Sequence, residues 1–272
     1  MKSRFRVISD VGESGEVSIP AMESDRPRVP AHLSDQWSSI GSTVGILLIM
    51  GIGALFIDLS VSWGLNQQHL LQPIHRTLEM AEPFGDFAGV ILVTIGIGIL
   101  KPTARRHLPL LLLGVATAGL TADVFKMLVG RVRPTNLDWS VVRTVGDTFT
   151  GWLPFIHGGW KHQSFPSAHT ATAWGLAMLL VRMFPRGKWF FPVVAFCVGF
   201  QRVETGSHFL SDAIFGTAIG IGVSCVWLKT PLFGDFLPVT AIERDEFDGG
   251  NPNGEHRNPS DKSSVGGESS AG

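Results

Sequence analysis

The chain has 272 residues, of which 44% are hydrophobic and only 17% are charged, and its mean hydropathy is +0.24. Its net charge of −1 gives no basis for nucleic-acid binding. Its two cysteines, Cys197 and Cys225, lack the CxxC spacing of a thiolate metal site. The apolar residues fall in long blocks instead of a soluble protein's interleaved pattern, which is typical of a membrane protein.

Six apolar blocks lie between a polar start and a polar end. A transmembrane helix needs roughly 17 to 25 mostly apolar residues, and the blocks fall near that range. They predict an all-α fold, an integral membrane bundle of about six transmembrane helices within a domain over residues 41–230. The fifth block is the weakest, because its apolar part is short. The blocks are 41–59, 84–100, 108–125, 166–184, 189–206 and 208–228.

The two ends of the chain differ from its middle. Residues 1–40 are polar, and no small-residue cleavage site follows the first apolar block, which favours a retained anchor over a signal peptide. Residues 231–272 run into a segment rich in Gly, Ser, Asn and charge. Such a composition buries too little apolar surface to fold, so we predict a disordered C-terminal tail.

Basic residues predict the orientation of the bundle. The connections 101–107 (KPTARRH) and 182–188 (RMFPRGK) are short and basic, and such loops stay in the cytoplasm. An even number of spans then places both termini in the cytoplasm as well. The long connection 127–165 faces the extracytoplasmic side of this multi-pass protein.

Three polar clusters fall on that same extracytoplasmic face. The third apolar block ends in KMLVGRVRPTN at 126–136, and the long loop returns through HQSFPSAHTATA at 162–173. The fifth and sixth blocks meet at RVETGSHFLSD, residues 202–212. Nothing in the spacing of the clusters forces this agreement, so we expect them to form one site.

The first chemistry that these residues suit is the binding of an anion. Lys126, Arg133 and Arg202 bring three positive charges to helix ends with no matching acidic cluster. Arginine pairs with phosphate oxygens through two parallel hydrogen bonds. Pro166 suits a first helical turn, so the amides of Ser167 and Ala168 would form a phosphate cradle at a helix N-terminus. A plain helix start capped by Ser167 remains the alternative.

The second chemistry is nucleophilic attack by a histidine. His208 and Asp212 are four residues apart and share a helix face, so the carboxylate would fix the ring tautomer and leave the other nitrogen nucleophilic. His169 comes from another helix and would protonate a leaving oxygen. A metal site of His169, His208 and Asp212 is the rival interpretation. Three nearby cations would repel a divalent metal, so we expect no metal and no cofactor.

The three clusters together resemble the signature of the type 2 phosphatidic acid phosphatase (PAP2) family, which shares its site with vanadium haloperoxidases. They read K-x6-R-P from Lys126, P-S-x-H ending at His169, and R-x5-H-x3-D from Arg202. The resemblance covers about residues 85–230. It implies that His208 is the nucleophile, that Asp212 orients it and that His169 is the acid. It also implies a phosphate site, which consists of Lys126, Arg133, Ser167, Ala168 and Arg202.

Two positions depart from the family pattern. The second motif usually reads P-S-G-H, and Ala168 replaces its glycine. Alanine is unfavourable if that position needs a positive φ, but a helix start should tolerate it. The third motif usually has a serine before its arginine, where this chain has Gln201, and this change could weaken one phosphate contact.

The sequence thus predicts a metal-independent membrane phosphatase with an extracytoplasmic site and a phosphohistidine intermediate. Its expected partners are membrane lipids and a phosphorylated lipid substrate, either a monophosphate like phosphatidic acid or an isoprenyl pyrophosphate. The alternatives are a non-catalytic protein that binds lipid phosphate and a phosphatase of soluble esters. A transporter and a haloperoxidase fit less well, because the charges lie at helix ends and the chain carries membrane helices.

Overall fold

The computed structural model describes residues 31–67, 72–154 and 159–230. The predicted disordered tail 231–272 and most of the polar segment 1–40 lie outside the described residues. The described chain is a helical bundle with one short antiparallel hairpin. Its helices are α1 (Ala31–Leu55), α2 (Asp58–Gln67), α3 (Gln72–Glu79), α4 (Phe87–Leu100), α5 (Leu108–Leu128), α6 (Ala168–Met183), α7 (Phe190–Glu204) and α8 (Leu210–Lys229).

The all-α prediction is confirmed, and each of the six apolar blocks contains a helix. The first helix begins at Ala31, ten residues before its apolar block, so part of the predicted polar N-terminal segment is helical. Helices α2 and α3 were not predicted, because the polar, mixed sequence of residues 60–79 has no block of span length. The small hairpin also lay beyond the sequence prediction.

The number of membrane spans stays a prediction. Among the described residues, 102–128 and 210–229 are long and apolar enough to cross a bilayer. Two helix pairs would pass as broken spans, α1 with α2, bent by 70°, and α3 with α4, bent by 73°. Helices α6 and α7 have 16 and 15 residues, slightly fewer than the roughly 17 that a span needs.

Helix α6 lies at the centre of the bundle and packs against α5, α7 and α8. Two small residues of α8, Gly216 and Gly220, permit this close approach. A Cβ on Gly216 would come within 2.4 Å of the carbonyl oxygen of Ser167, and one on Gly220 would meet that of Ala171 at the same distance. Helix α8 is therefore held tightly against the start of α6.

The outer surface of the bundle is apolar, whereas the polar side chains turn inward. Large side chains such as Ile49, Leu92 and Leu120 are 61–71% exposed, which suits contact with lipid tails. Inside, the fully buried set includes charged and polar residues gathered near the starts of α2, α6 and α8, namely Asp58, Arg131, Ser167, Ser211 and Asp212. The bundle thus presents lipid-facing walls around one polar end.

The long connection carries a hairpin that closes over this polar end. Strand β1 (Val129–Arg131) pairs with β2 (Phe149–Trp152). Arg131 also accepts a backbone hydrogen bond from Ser164 at 3.0 Å, which brings the last part of the loop back beside its first part. The ends of α5 and the beginning of α6 are therefore neighbours.

The predicted topology can be checked by cysteine labelling. Val141 is 69% exposed in the long connection, and Arg106 is exposed in the basic one. In intact cells, Val141→Cys should react with an impermeant maleimide, whereas Arg106→Cys should react only after permeabilisation. A background that lacks Cys197 and Cys225 is the control, and the opposite labelling order would place the site in the cytoplasm.

Candidate active site

Backbone hydrogen bonds tie the three predicted motifs together at one end of the bundle. The amide of Thr135, just after the first motif, donates to the carbonyl of Gly206 in the third motif at 3.1 Å. The amide of Ser167 in the second motif donates to the carbonyl of Asp212 in the third at 3.0 Å. Gly206 has a φ of +66°, and a Cβ there would come within 2.9 Å of Thr135, so this turn requires glycine.

His208 is buried, and its ring orientation is set by a backbone carbonyl. Its Nδ1 lies 2.7 Å from the carbonyl oxygen of Ser164. Because a carbonyl can only accept, Nδ1 carries the proton, and the neutral ring keeps its lone pair on Nε2. The Nε2 atom is therefore the nitrogen available for nucleophilic attack.

Asp212 contacts His208 indirectly, through Ser164. Its Oδ2 is 3.9 Å from His208 Nδ1, which is an electrostatic contact and longer than a hydrogen bond. The same Oδ2 accepts from the hydroxyl of Ser164 at 2.6 Å and from the amide of Phe209 at 2.9 Å. The sequence predicted a direct hydrogen bond from the ring to Asp212. In the structure, Ser164 stands between the two and touches both.

At the start of α6, Ser167 is the cap, and the free amides are those of Ala168 and His169 rather than those of Ser167 and Ala168. The hydroxyl oxygen of Ser167 accepts from the amide of Thr170 at 3.4 Å and from its hydroxyl at 2.9 Å, so Ser167 caps the helix. The amide of Ser167 itself donates to the backbone carbonyl of Asp212. The next amides, of Ala168 and His169, belong to the first turn and have no partner within the helix. Ala168 is already α-helical, so the missing glycine imposes no backbone strain.

Arg202 is held by two neighbours that the sequence did not predict. Its Nη2 lies 2.5 Å from Oε1 of Glu82, and its Nε donates to Oε1 of Gln201 at 2.7 Å. The amide group of Gln201 also donates to Glu82 at 3.3 Å. The glutamine that replaces the family's serine therefore aims the guanidinium.

Lys126 and Arg133 complete the positive end of the site. The Nζ of Lys126 is 3.7 Å from a carboxylate oxygen of Asp123, and Arg133 Nε donates to the carbonyl of Trp160 at 3.3 Å. Burial lowers the pKa of Arg133, and the positive charge of Arg202 lowers it further. Such crowded cations are stabilised by an anion with several oxygens.

A pocket of about 410 Å³ opens beside these residues, between α4, α5 and α6. Lys126, Ala168 and His169 line one part of it, and apolar side chains of α5 such as Val115 and Leu120 line another. Within the described residues, no group of three His, Cys, Asp or Glu side chains is arranged to hold a metal ion. The absence of a metal requirement remains a prediction.

Three charged residues around the site were not predicted from the sequence to have a role. Arg131 was noted in the first cluster but given no role, although it is fully buried between two carboxylates. Asp58 is one of these carboxylates. It is the only acidic residue in the apolar block 41–59, and an acid in such a block indicates a functional or structural role. Glu82 had no such signal.

A sequence model of the PAP2 superfamily matches residues 107–233. The chain is 30% identical over 166 residues to Lipid A 1-phosphatase of Rhizobium johnstonii and 32% identical over 160 residues to Lipid A 1-phosphatase of Rhizobium etli. These alignments cover 54% and 52% of this chain but 64% and 65% of the two relatives, slightly less than two thirds of their length.

A solved structure is also similar. The crystal structure of Aquifex aeolicus LpxE aligns with 64% of this chain and 96% of that chain, at 20% sequence identity and a TM-score of 0.47. The helical bundle and the three motifs define a helical membrane protein with a cationic site at one end. Residues 107–233 are similar in sequence to the PAP2 superfamily.

Proposed function

We propose that this protein is a phosphatase that hydrolyses a phosphorylated membrane lipid through a phosphohistidine intermediate. The observation that carries the proposal is the ring of His208, which is oriented by a backbone carbonyl and lies beside a cluster of three cations and the N-terminus of α6. The similarity to the two Rhizobium lipid A 1-phosphatases supports lipid A as the first candidate substrate.

The reaction proceeds in two displacements at phosphorus. The bound phosphate anion favours the protonated form of His169. The lone pair on Nε2 of His208 then attacks the phosphorus, the P–O bond to the lipid breaks, and protonated His169 gives its proton to the leaving oxygen. A water molecule then attacks the phosphorus and gives a proton to His169, and the P–N bond breaks. Inorganic phosphate leaves, and both histidines return to their starting states.

The charged side chains stabilise the transition state of both steps. Lys126, Arg133 and Arg202 neutralise the equatorial oxygens, together with the first amides of α6. These groups supply the positive charge that magnesium supplies in many other phosphoryl-transfer enzymes. Because Arg202 is paired with Glu82, the incoming phosphate displaces that carboxylate or shares the guanidinium with it.

Metal independence is testable with the purified protein. We expect activity to stay within about twofold of its starting value after EDTA treatment and dialysis. Vanadate should inhibit, because it mimics the five-coordinate phosphorus at the same cationic groups. Loss of activity with EDTA that zinc or magnesium restores would contradict the mechanism.

The pocket beside His169 favours a lipid over a soluble ester. It continues from Lys126 and His169 to the apolar side of α5, where Leu120 is 61% exposed towards the bundle's outer surface. Gly119 also lines this pocket, and a Cβ there would come within 2.7 Å of the hydroxyl of Thr172, so α5 and α6 lie close together at this point. A lipid could place its phosphate among the cations while its chain stays in the apolar part.

The substrate class can be tested by comparing matched phosphate esters. We expect kcat/KM for a long-chain lipid phosphate to exceed that for glycerol 3-phosphate by at least about a hundredfold. Even four buried CH₂ groups at about 0.8 kcal/mol each would give that ratio. Lipid A 1-phosphate, phosphatidic acid and an isoprenyl pyrophosphate form the panel. Equal efficiency on the soluble ester would favour the alternative phosphatase, and binding without turnover would favour the non-catalytic protein.

A further inference from the structure

Arg131 forms a buried ion-pair bridge between α2 and α8. Its Nη2 lies 2.7 Å from Oδ2 of Asp58, and its Nη1 lies 2.5 Å from Oδ1 of Asp212, with all three side chains at 0% exposure. Its Nε donates to the hydroxyl of Thr148 at 3.1 Å. The guanidinium also packs on the ring of Phe209, 4.0 Å from its centroid. A buried arginine needs such complete pairing to offset the loss of its hydration.

Asp58 contacts the start of α8 a second time. Its Oδ1 accepts from the amide of Ser211 at 2.9 Å, and its Oδ2 accepts from the Ser211 hydroxyl at 2.5 Å. That hydroxyl also accepts from Arg131 Nη1 at 2.8 Å. A carboxylate at a helix N-terminus is favourable because it meets free amides and the positive end of the helix dipole. Asp58 therefore fixes both Arg131 and the first turn of α8.

The bridge continues from Asp212 to the ring of His208. With its Oδ1 held by Arg131, Asp212 presents Oδ2 to the hydroxyl of Ser164. The carbonyl of that same Ser164 accepts from the ring of His208. Each contact fixes the next, and none of Asp58, Arg131 or Ser164 is among the residues that the motifs assign to phosphate.

We propose that Asp58 is a positioning residue for the reaction, acting through Arg131, Asp212 and Ser164 on the ring of His208. This rests on the phosphatase function proposed above. Asp58 lies outside residues 107–233, so the family model does not cover it. Without its charge, Arg131 loses one of its two anchors, the carboxylate of Asp212 shifts, and the attacking nitrogen of His208 moves out of line with phosphorus.

Asp58→Asn is the first test, because asparagine keeps the size of the side chain and removes its charge. We expect kcat to fall about a hundredfold, the effect of a misplacement of about 1 Å at the reacting atoms. KM should stay within about twofold, since Lys126, Arg133 and Arg202 are untouched. The exposed acid Glu79, 51% exposed on α3, gives the matched control, and Glu79→Gln should keep full activity.

A double-mutant cycle separates positioning from general destabilisation. If Asp58 acts through Asp212, then adding Asp58→Asn to an Asp212→Asn protein should lower kcat by less than about threefold further. A purely structural role would give the full hundredfold loss in both backgrounds. Thermal unfolding in detergent and inhibition by vanadate verify that each variant is folded and keeps its anion site.

Arg131→Lys provides a second variant if Asp58→Asn does not fold. Lysine keeps the buried charge but loses the fork that spans both carboxylates, so the same fall in kcat with an unchanged KM is expected. A kcat within twofold of wild type in a folded variant, or additive losses in the cycle, would overturn the inference. Absence of turnover in the wild-type protein would instead contradict the proposed function.

Discussion

The His208→Ala protein is expected to lose hydrolysis by about four to six orders of magnitude, as happens when the nucleophile of a covalent mechanism is removed. The reason is geometric as well as chemical. The ring donates from Nδ1 to the carbonyl of Ser164, so Nε2 is the nitrogen left to attack. No other described side chain in the site is held as a neutral nucleophile by a comparable contact. The measurement is kcat on the best lipid of the panel.

Two controls belong with the His208 variant. His162 lies in the long connection between α5 and α6 and has no proposed role, so His162→Ala should keep activity within about twofold of wild type. The His208→Ala protein should still bind the lipid phosphate, because the cations and the start of α6 remain. Rapid quenching of the wild-type enzyme with labelled substrate should trap phosphate on His208. Activity of the alanine variant within tenfold of wild type would eliminate the phosphohistidine mechanism.

The His169→Asn protein should show a loss that depends on the leaving group. Protonation of the leaving oxygen matters most for an alkoxide or a sugar oxygen, so kcat on the lipid should fall by about 10²- to 10⁴-fold. The p-nitrophenolate of p-nitrophenyl phosphate leaves without a proton, so the rate constant of its release in the first turnover should fall by less than about tenfold. His169 lines the pocket together with Lys126, which places the imidazole on the side where the lipid chain would depart.

The comparison of leaving groups distinguishes an acid from a binding residue. If His169 only held the phosphate, both substrates would lose the same factor, since they share that group. Hydrolysis of the phosphoenzyme also uses His169, so a burst of p-nitrophenol followed by slow turnover is the expected time course. Equal losses in the first-turnover rate constant of both substrates would contradict the assignment of His169 as the acid.

The sequence predicted the convergence of the motifs but few of the contacts that hold them. Lys126, His169 and His208 could be placed at one end because each lies next to an apolar block, and alternate crossings bring those ends together. The carbonyl of Ser164 could not be foreseen as the partner of His208. Backbone groups have no signature in side-chain spacing, and the loop must fold before its carbonyls have a direction.

The remote acids were hidden for a different reason. Asp58 and Glu82 precede the first motif by 68 and 44 residues, counted to Lys126. No local periodicity links them to it. The bends after α1 and α3 bring them to the site, and a pattern of apolar blocks does not encode a bend of about 70°. Gln201 differs from these acids, because the sequence alone identifies it as a departure from the family pattern. Its contacts with Arg202 and Glu82 are seen only in the structure.

The salt bridge between Glu82 and Arg202 has a consequence for how this protein can be divided or recombined. Residues 107–233 carry every motif, yet Glu82 belongs to the preceding helices and pairs with Arg202 from outside that segment. A fragment that begins at residue 107 would leave this guanidinium without its carboxylate. A chimera that borrows its first hundred residues from a relative should work only where the donor supplies an acid at the same place. A fragment of this protein that keeps the Glu82–Arg202 pair must therefore begin before residue 82, well before the first motif.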